Sequence, residues 1–193
     1  MAHWRLKEIV IMSVLAVVFG VVYLFFLPVG NMLAALMGPI GYEFIFGIWF
    51  IVSIIAAYII RKPGAAFLSE TIAATVEMLL GNATGPIIIL VGIIQGLGAE
   101  AVFAATRWKH YNLPVLMLAG VGSAIFSFVW GYFYSGYAAF GTGYVISMLL
   151  LRMASGAIIA GVLGKSISDA LAKTGVLSSF ALGKEERKKK VAS

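Results

Sequence analysis

Two glutamates, Glu70 and Glu77, lie seven residues apart in the predominantly apolar stretch LSETIAATVEMLLGNATGP. A seven-residue spacing places both carboxylates on the same face of a helix, two turns apart. A carboxylate inside a membrane is costly, and such residues usually face a bundle interior or a cavity that serves function. The pair therefore predicts that this face of the helix lies in the bundle interior or lines a cavity.

The elements that carry these residues are typical of an integral membrane protein. Of 193 residues, 62% are hydrophobic and only 11% are charged, against about 25% charged residues in ordinary soluble domains. Long apolar segments in lipid must satisfy their backbone hydrogen bonds internally, so they predict helices. We predict an all-α membrane protein with one domain, residues 1–193, and six transmembrane helices at residues 8–27, 44–60, 64–80, 86–106, 113–134 and 144–163.

The basic residues predict the orientation of these helices. Lysines and arginines precede the first helix, join helices 2 and 3 and helices 4 and 5, and follow helix 6, whereas the other three connections contain none. Cytoplasmic connections of membrane proteins are enriched in these residues. We therefore predict cytoplasmic termini, with residues 183–193 as a basic tail that could contact anionic lipid. The net charge of +6 reflects this topology rather than nucleic-acid binding.

Three polar side chains are predicted to line the outer half of the bundle. At 1.5 Å per residue, Glu77 lies about 6 Å and Gln95 about 14 Å from the outer ends of their helices. Glu43 lies at the outer mouth of the second helix. Neither Glu43 nor Glu77 has an obvious cationic partner there, so we predict that they bind a cationic ligand above Gln95. The alternatives are a helix-capping Glu43 and a protonated Glu77.

A deeper layer contains Glu70, Glu100 and Arg152. Glu70 and Glu100 lie about 16 and 21 Å from the outer helix ends, and Arg152 lies at about 12 Å. Two interpretations remain open. Glu70 and Glu100 could neutralise Arg152 and fix the helix packing, or Glu70 could face the ligand together with the outer residues.

Aromatic residues occur at the level of the predicted site, with Trp49 in the second helix and Trp130 and Tyr134 in the fifth. Trp130 and Tyr134 are four residues apart and share a face of their helix. Aromatic faces beside a carboxylate suit a flat, positively charged ring through cation–π contact. We predict that these residues line the pocket; the alternative is an aromatic belt at the membrane interface.

Small residues form a further pattern, in which Ala16 and Gly20 lie four residues apart in the first helix. Such faces allow close approach of membrane helices. The pair could serve internal packing or could contact a partner membrane protein.

Motifs of ATPases and membrane enzymes do not occur. The sequence contains no Walker A, HExxH or GxSxG motif and no cysteine. We predict no catalytic residues, no metal site and no cofactor. The buried carboxylates would also suit a proton-coupled transporter of organic cations, with Glu70 or Glu77 as the proton carrier.

Nearly the whole chain resembles a known family. The segments RKPGAAFLSETIAATVEMLLGNATGP and GIIQGLGAEAVFAATRW are similar to the substrate-binding S components of energy-coupling-factor (ECF) transporters, in their YkoE-like branch. The resemblance implies a multi-pass subunit of the bacterial plasma membrane that captures thiamine or its hydroxymethylpyrimidine precursor from outside.

The resemblance also implies partners, namely a transmembrane coupling subunit and cytoplasmic ATPase subunits. A small-residue face on the first helix of the family contacts the coupling subunit, and Ala16 and Gly20 would occupy that place here. Thiamine has a cationic thiazolium and an aminopyrimidine, which suit a glutamate and Gln95 respectively, with Trp130 or Tyr134 stacking.

Overall fold

The computed structural model describes residues 3–192, and its regular elements are all helical, as predicted. They are α1 (Leu6–Met37), α2 (Ile40–Glu43), α3 (Ile51–Ile60), α4 (Ala65–Leu79), α5 (Ile87–Ala105), α6 (Leu113–Tyr134), α7 (Thr142–Ser155), α8 (Gly164–Lys173) and α9 (Ala181–Ala192). Short 3₁₀ turns cover Phe46–Phe50 and Tyr137–Ala139. A π-helical segment, Gly156–Leu163, joins α7 to α8 without a break.

Within the described residues, four helical stretches are long and apolar enough to cross a membrane: Leu6–Met37, Ile87–Ala105, Leu113–Tyr134 and Thr142–Lys173. The apolar stretch Phe46–Ile60 is shorter. Helix α4 has 15 residues, which corresponds to about 22 Å of helix. The bounds of α6 agree with the predicted fifth helix, residues 113–134.

The first helix is longer than predicted, because α1 continues through Pro28 and ends at Met37 instead of Leu27. Proline removes one backbone hydrogen bond, but membrane helices tolerate it where neighbouring elements compensate. The chain then turns back in α2, and a Cβ on Gly41 would clash with the backbone of Leu33. This return brings Glu43 into the bundle, where it is fully buried.

Ala16 and Gly20 are both buried within the chain. A Cβ on Gly20 would lie 2.8 Å from the carbonyl oxygen of Ala73, on α4. Their small size therefore serves close packing of α1 on α4. This burial contradicts the predicted contact of Ala16 and Gly20 with a coupling subunit and supports the alternative, internal packing.

The C-terminal segment is part of the packed structure, whereas residues 183–193 were predicted to be a basic tail. Leu177, Phe180 and Leu182 are buried in the hydrophobic core. Helix α9 packs against α3 and α8, and Glu185 forms a 2.7 Å salt bridge with Arg61.

Glu100 caps the start of α4 from the neighbouring helix. Its carboxylate accepts hydrogen bonds from the backbone N–H groups of Gly64 (2.7 Å), Ala66 (3.1 Å) and Phe67 (3.3 Å) and from the indole N–H of Trp108 (2.6 Å). The first N–H groups of a helix lack intrahelical partners and attract negative charge. The predicted neutralisation of Arg152 by Glu100 is therefore wrong.

We expect the Glu100→Ala variant to be less stable than the wild type, by about 2 kcal/mol or more, because several donors lose a charged acceptor. Thermal unfolding of the purified protein in detergent would measure this loss. Glu186→Ala, on α9, is the matched control and should unfold near the wild-type temperature. Equal stability of both variants would contradict the capping role.

Candidate functional site

A cavity of about 480 Å³ lies among α1, α2, α4, α5 and the connections at one end of the bundle. We call this end, formed by residues 38–44, 80–86 and 135–141, the non-basic end because these connections contain no lysine or arginine. The cavity is lined by Leu27, Ala34, Pro39, Tyr42, Phe46, Trp49, Glu70, Ala74, Glu77, Asn82, Thr84, Ile88, Val91, Gln95, Ser135 and Tyr137. The volume falls within the range of about 300–1,000 Å³ typical of small-molecule sites.

Four of the predicted site residues line this cavity, namely Trp49, Glu70, Glu77 and Gln95. The other three, Glu43, Trp130 and Tyr134, are not among its lining residues. The spacing of Glu70 and Glu77 on one face of α4 therefore identified the wall of the cavity.

Glu70 is buried, with 1% of its surface exposed, and only part of its carboxylate is satisfied. The hydroxyl of Tyr23 donates to its Oε2 atom at 3.3 Å and accepts a hydrogen bond from the Val52 backbone N–H at 3.2 Å. The Oε1 atom has no hydrogen-bond partner among the described residues. Because a buried acceptor without a donor is costly, this oxygen marks a position where a ligand donor would be stabilised.

Glu77 is held by the connection between α4 and α5. The Asn82 side-chain amide donates to its Oε1 atom at 2.6 Å, and Asn82 in turn accepts the backbone N–H of Thr84 at 2.8 Å. Neither Glu77 nor Glu70 forms a salt bridge with another described residue. The two carboxylates therefore form an acidic wall of the cavity, and neither has a cationic partner among the described residues.

Gln95 reaches the same wall because α5 approaches α4 closely. A Cβ on Gly96 would lie 2.9 Å from the Cα atom of Phe67 and 3.1 Å from the Cβ atom of Glu70. The backbone carbonyl of Gln95 accepts the Ser123 hydroxyl at 2.7 Å. Its side-chain amide, which lines the cavity, forms no hydrogen bond with another described residue. An amide donor and acceptor are thus available beside Glu70.

The aromatic wall of the cavity is formed by Tyr42, Phe46, Trp49 and Tyr137. The ring centroids of Tyr42 and Trp49 are 5.4 Å apart, and those of Phe46 and Trp49 are 5.8 Å apart. The indole N–H of Trp49 donates to the backbone carbonyl of Tyr23 at 3.2 Å, which fixes the orientation of the ring. These rings offer faces for a planar ligand.

Trp130 and Tyr134 lie elsewhere on α6. Their rings stack on each other at 5.1 Å. Tyr134 is 52% exposed, and Trp130 borders an apolar groove on the side of the bundle with Phe126 and Phe133. This position contradicts the predicted stacking on a ligand in the cavity and agrees with the alternative, an interfacial belt.

Glu43 and Arg152 form a buried ion pair. The arginine Nε and Nη2 atoms donate to the two carboxylate oxygens at 2.5 and 2.6 Å. The predictions of Glu43 as a ligand-binding carboxylate and of Glu70 or Glu100 as the partner of Arg152 are therefore wrong. The cause is the return of the chain in α2, which carries Glu43 inward to the level of Arg152.

Tyr23, Tyr137 and Asn82 belong to the site or its support but were not among the predicted site residues. Tyr23 lies within a predominantly apolar helix, and its hydroxyl contacts a residue 47 positions away in the sequence. Asn82 lies in the connection GNATG directly after α4, five residues from Glu77. That short separation is the one signal that could have associated it with the site.

Comparison with known proteins agrees with this architecture. Residues 7–126 match a family model described as the permease component of an ABC-type cobalt transport system. Within the described residues, however, no group of three His, Cys, Asp or Glu side chains could hold a metal ion.

A crystal structure of an S component of an ECF transporter matches the chain with a TM-score of 0.97 and 64% identity, over 98% of this chain and 96% of that chain. The fold is thus that of a membrane-embedded substrate-binding subunit of a plasma-membrane transporter, not that of an enzyme. The HMP/thiamine permease protein YkoE of Bacillus subtilis (strain 168) is 64% identical over 190 residues, which cover 98% of this chain and 96% of that protein. The chain belongs to the YkoE family of ECF S components.

We expect Tyr23→Phe to lower stability by about 1–2 kcal/mol, because the Val52 N–H and the Glu70 carboxylate both lose their partner while remaining buried. Thermal unfolding in detergent would measure the change. Tyr132→Phe, on the exposed face of α6, is a matched control that should be neutral. A neutral Tyr23→Phe would show that the hydroxyl does not hold Glu70.

Proposed function

We propose that the chain captures thiamine or its hydroxymethylpyrimidine precursor in the cavity at the non-basic end. Its relative of 64% identity is named an HMP/thiamine permease protein. The single observation that carries the proposal is the free Oε1 atom of Glu70, a buried acceptor in a cavity of suitable size. A ligand that donates hydrogen bonds and carries positive charge complements this site.

The aminopyrimidine ring, which thiamine and its precursor share, suits the part of the cavity near Glu70 and Gln95. Its exocyclic amino group donates to the free Glu70 oxygen, and the Gln95 amide pairs with a ring nitrogen. Both protein groups lack other partners for these atoms among the described residues. Hydrogen bonds to a buried carboxylate are stronger than neutral ones, so this part of the site contributes affinity for both ligands.

Glu77 then distinguishes the two ligands. Its carboxylate lies on the same face of α4, two turns toward the non-basic end, and forms no salt bridge within the described residues. The thiazolium of thiamine has a permanent positive charge that attracts this carboxylate, whereas the precursor has no such charge. The faces of Trp49 and Tyr42 would stack on the planar rings.

The membrane topology follows from the charge distribution. We propose that Phe46–Ile60 and α4 cross the membrane together with the four longer stretches, which gives six crossings with both termini in the cytoplasm. The non-basic end then faces outside. Because the chain has no Walker A motif, a coupling subunit and cytoplasmic ATPase subunits would supply the energy for import.

We expect Glu70→Gln to lower the affinity for both ligands by about tenfold or more, because a charged hydrogen-bond acceptor is lost. Glu77→Gln should lower the affinity for thiamine by a similar factor and the affinity for the precursor much less. Isothermal titration calorimetry of the purified protein with each ligand measures both effects.

Trp130→Ala is the control for these variants, since Trp130 does not line the cavity, and should bind both ligands as the wild type does. If the wild-type protein binds neither ligand, the proposed function is wrong. Wild-type affinities in the Glu77→Gln variant would show that Glu77 is not part of the site, while the proposed function would still stand.

The topology predicts which residues can be labelled from outside. The chain has no cysteine, so single cysteines can be introduced at the exposed positions Ala83 and Lys109. A membrane-impermeant maleimide should label Ala83→Cys in intact cells, and should label Lys109→Cys only after the membrane is permeabilised. The opposite pattern would invert the orientation, and labelling of both in intact cells would contradict six crossings.

A further inference from the structure

Arg152 contacts the cavity wall from behind. The side chain is 1% exposed and does not line the cavity. Its guanidinium carbon lies 3.6 Å from the ring centroid of Phe46, and its Nη2 atom donates to the hydroxyl of Tyr137 at 3.1 Å. Phe46 and Tyr137 both line the cavity. One buried side chain therefore contacts two parts of the aromatic wall that are distant in sequence.

Helix α7 holds the returning chain at three points. The Tyr144 hydroxyl accepts the backbone N–H of Ile40 at 3.0 Å. Arg152 binds Glu43, and the Ser155 hydroxyl accepts the backbone N–H of Gly47 at 2.9 Å. Arg152 is the middle contact, and its side chain also forms a hydrogen bond to Tyr137 in the α6–α7 connection.

The charge of Arg152 is compensated by Glu43, which does not line the cavity. Glu43 occupies two of its donor nitrogens in bidentate geometry, which is the strong form of a carboxylate–arginine contact. The positive charge is therefore neutralised locally and does not oppose a cationic ligand in the cavity. A planar, five-donor guanidinium can contact a carboxylate, a hydroxyl and a ring face together, which a lysine ammonium cannot do in the same geometry.

We propose that Arg152, neutralised by Glu43, is a positioning residue for the ligand site. It fixes the rings of Phe46 and Tyr137 and thereby slows the release of a bound ligand. This inference rests on the proposed function for the identity of the ligand but not for the position of the wall. A site whose supporting contacts are loosened loses affinity even when every ligand-contacting residue is retained.

The test must separate positioning from stability. Removing one partner leaves a buried charge without compensation, whereas replacing both by apolar residues is often neutral for folding. We therefore choose the double variant E43L/R152M. The matched control is R61M/E185L, which removes the ion pair between α3 and α9, at the opposite end of the bundle.

We expect E43L/R152M to unfold near the wild-type temperature but to bind thiamine and hydroxymethylpyrimidine about tenfold more weakly, mainly through faster dissociation. The control should bind both ligands normally. R152K should fall between the wild type and the double variant. E43Q should lower the affinity for thiamine more than that for the uncharged precursor, because it leaves the charge of Arg152 uncompensated behind the aromatic wall.

Hydrogen–deuterium exchange without ligand gives a second readout that does not depend on the proposed function. Residues 38–50 and 135–141 should exchange faster in E43L/R152M than in the wild type or in R61M/E185L. Wild-type exchange and wild-type affinity in the double variant would overturn the positioning role. If the wild type binds neither ligand, the proposed function fails, and the exchange comparison alone decides the role of Arg152.

Discussion

A carboxylate inside a membrane must find its partners within the protein, and this constraint organises the structure. Glu100 takes its donors from the start of α4, Glu43 from Arg152, and Glu77 from Asn82. Glu70 is satisfied at one oxygen by Tyr23 and open at the other. Glu70 therefore differs from the other three carboxylates in keeping a buried oxygen without a donor among the described residues.

Most of the fold could be predicted from the sequence, because long apolar segments in lipid have few alternatives to helices. The bounds of α6 were predicted correctly, and the spacing of Glu70 and Glu77 identified one wall of the cavity. The partner of Arg152 could not be predicted. Depth along a helix says nothing about its rotation, and the inward return of Glu43 depends on α1 extending through Pro28.

The aromatic residues also show that sequence spacing does not fix the rotation of a helix. A spacing of four residues shows that Trp130 and Tyr134 share a face of α6, but it does not reveal whether that face meets the cavity or the lipid. The rings that do form the wall, such as Phe46 and Tyr137, lie in short turns. Both residues contact Arg152, and no local sequence pattern encodes these tertiary contacts.

The packing of the C-terminal segment has a practical consequence for anyone who shortens the protein. Leu177, Phe180 and Leu182 are buried in the hydrophobic core, and α9 packs against α3 and α8 and carries the Glu185–Arg61 salt bridge. A truncation designed to discard the lysine-rich terminus must therefore spare these three side chains. Cutting before Leu177 would expose apolar surface to water and favour aggregation of the purified subunit.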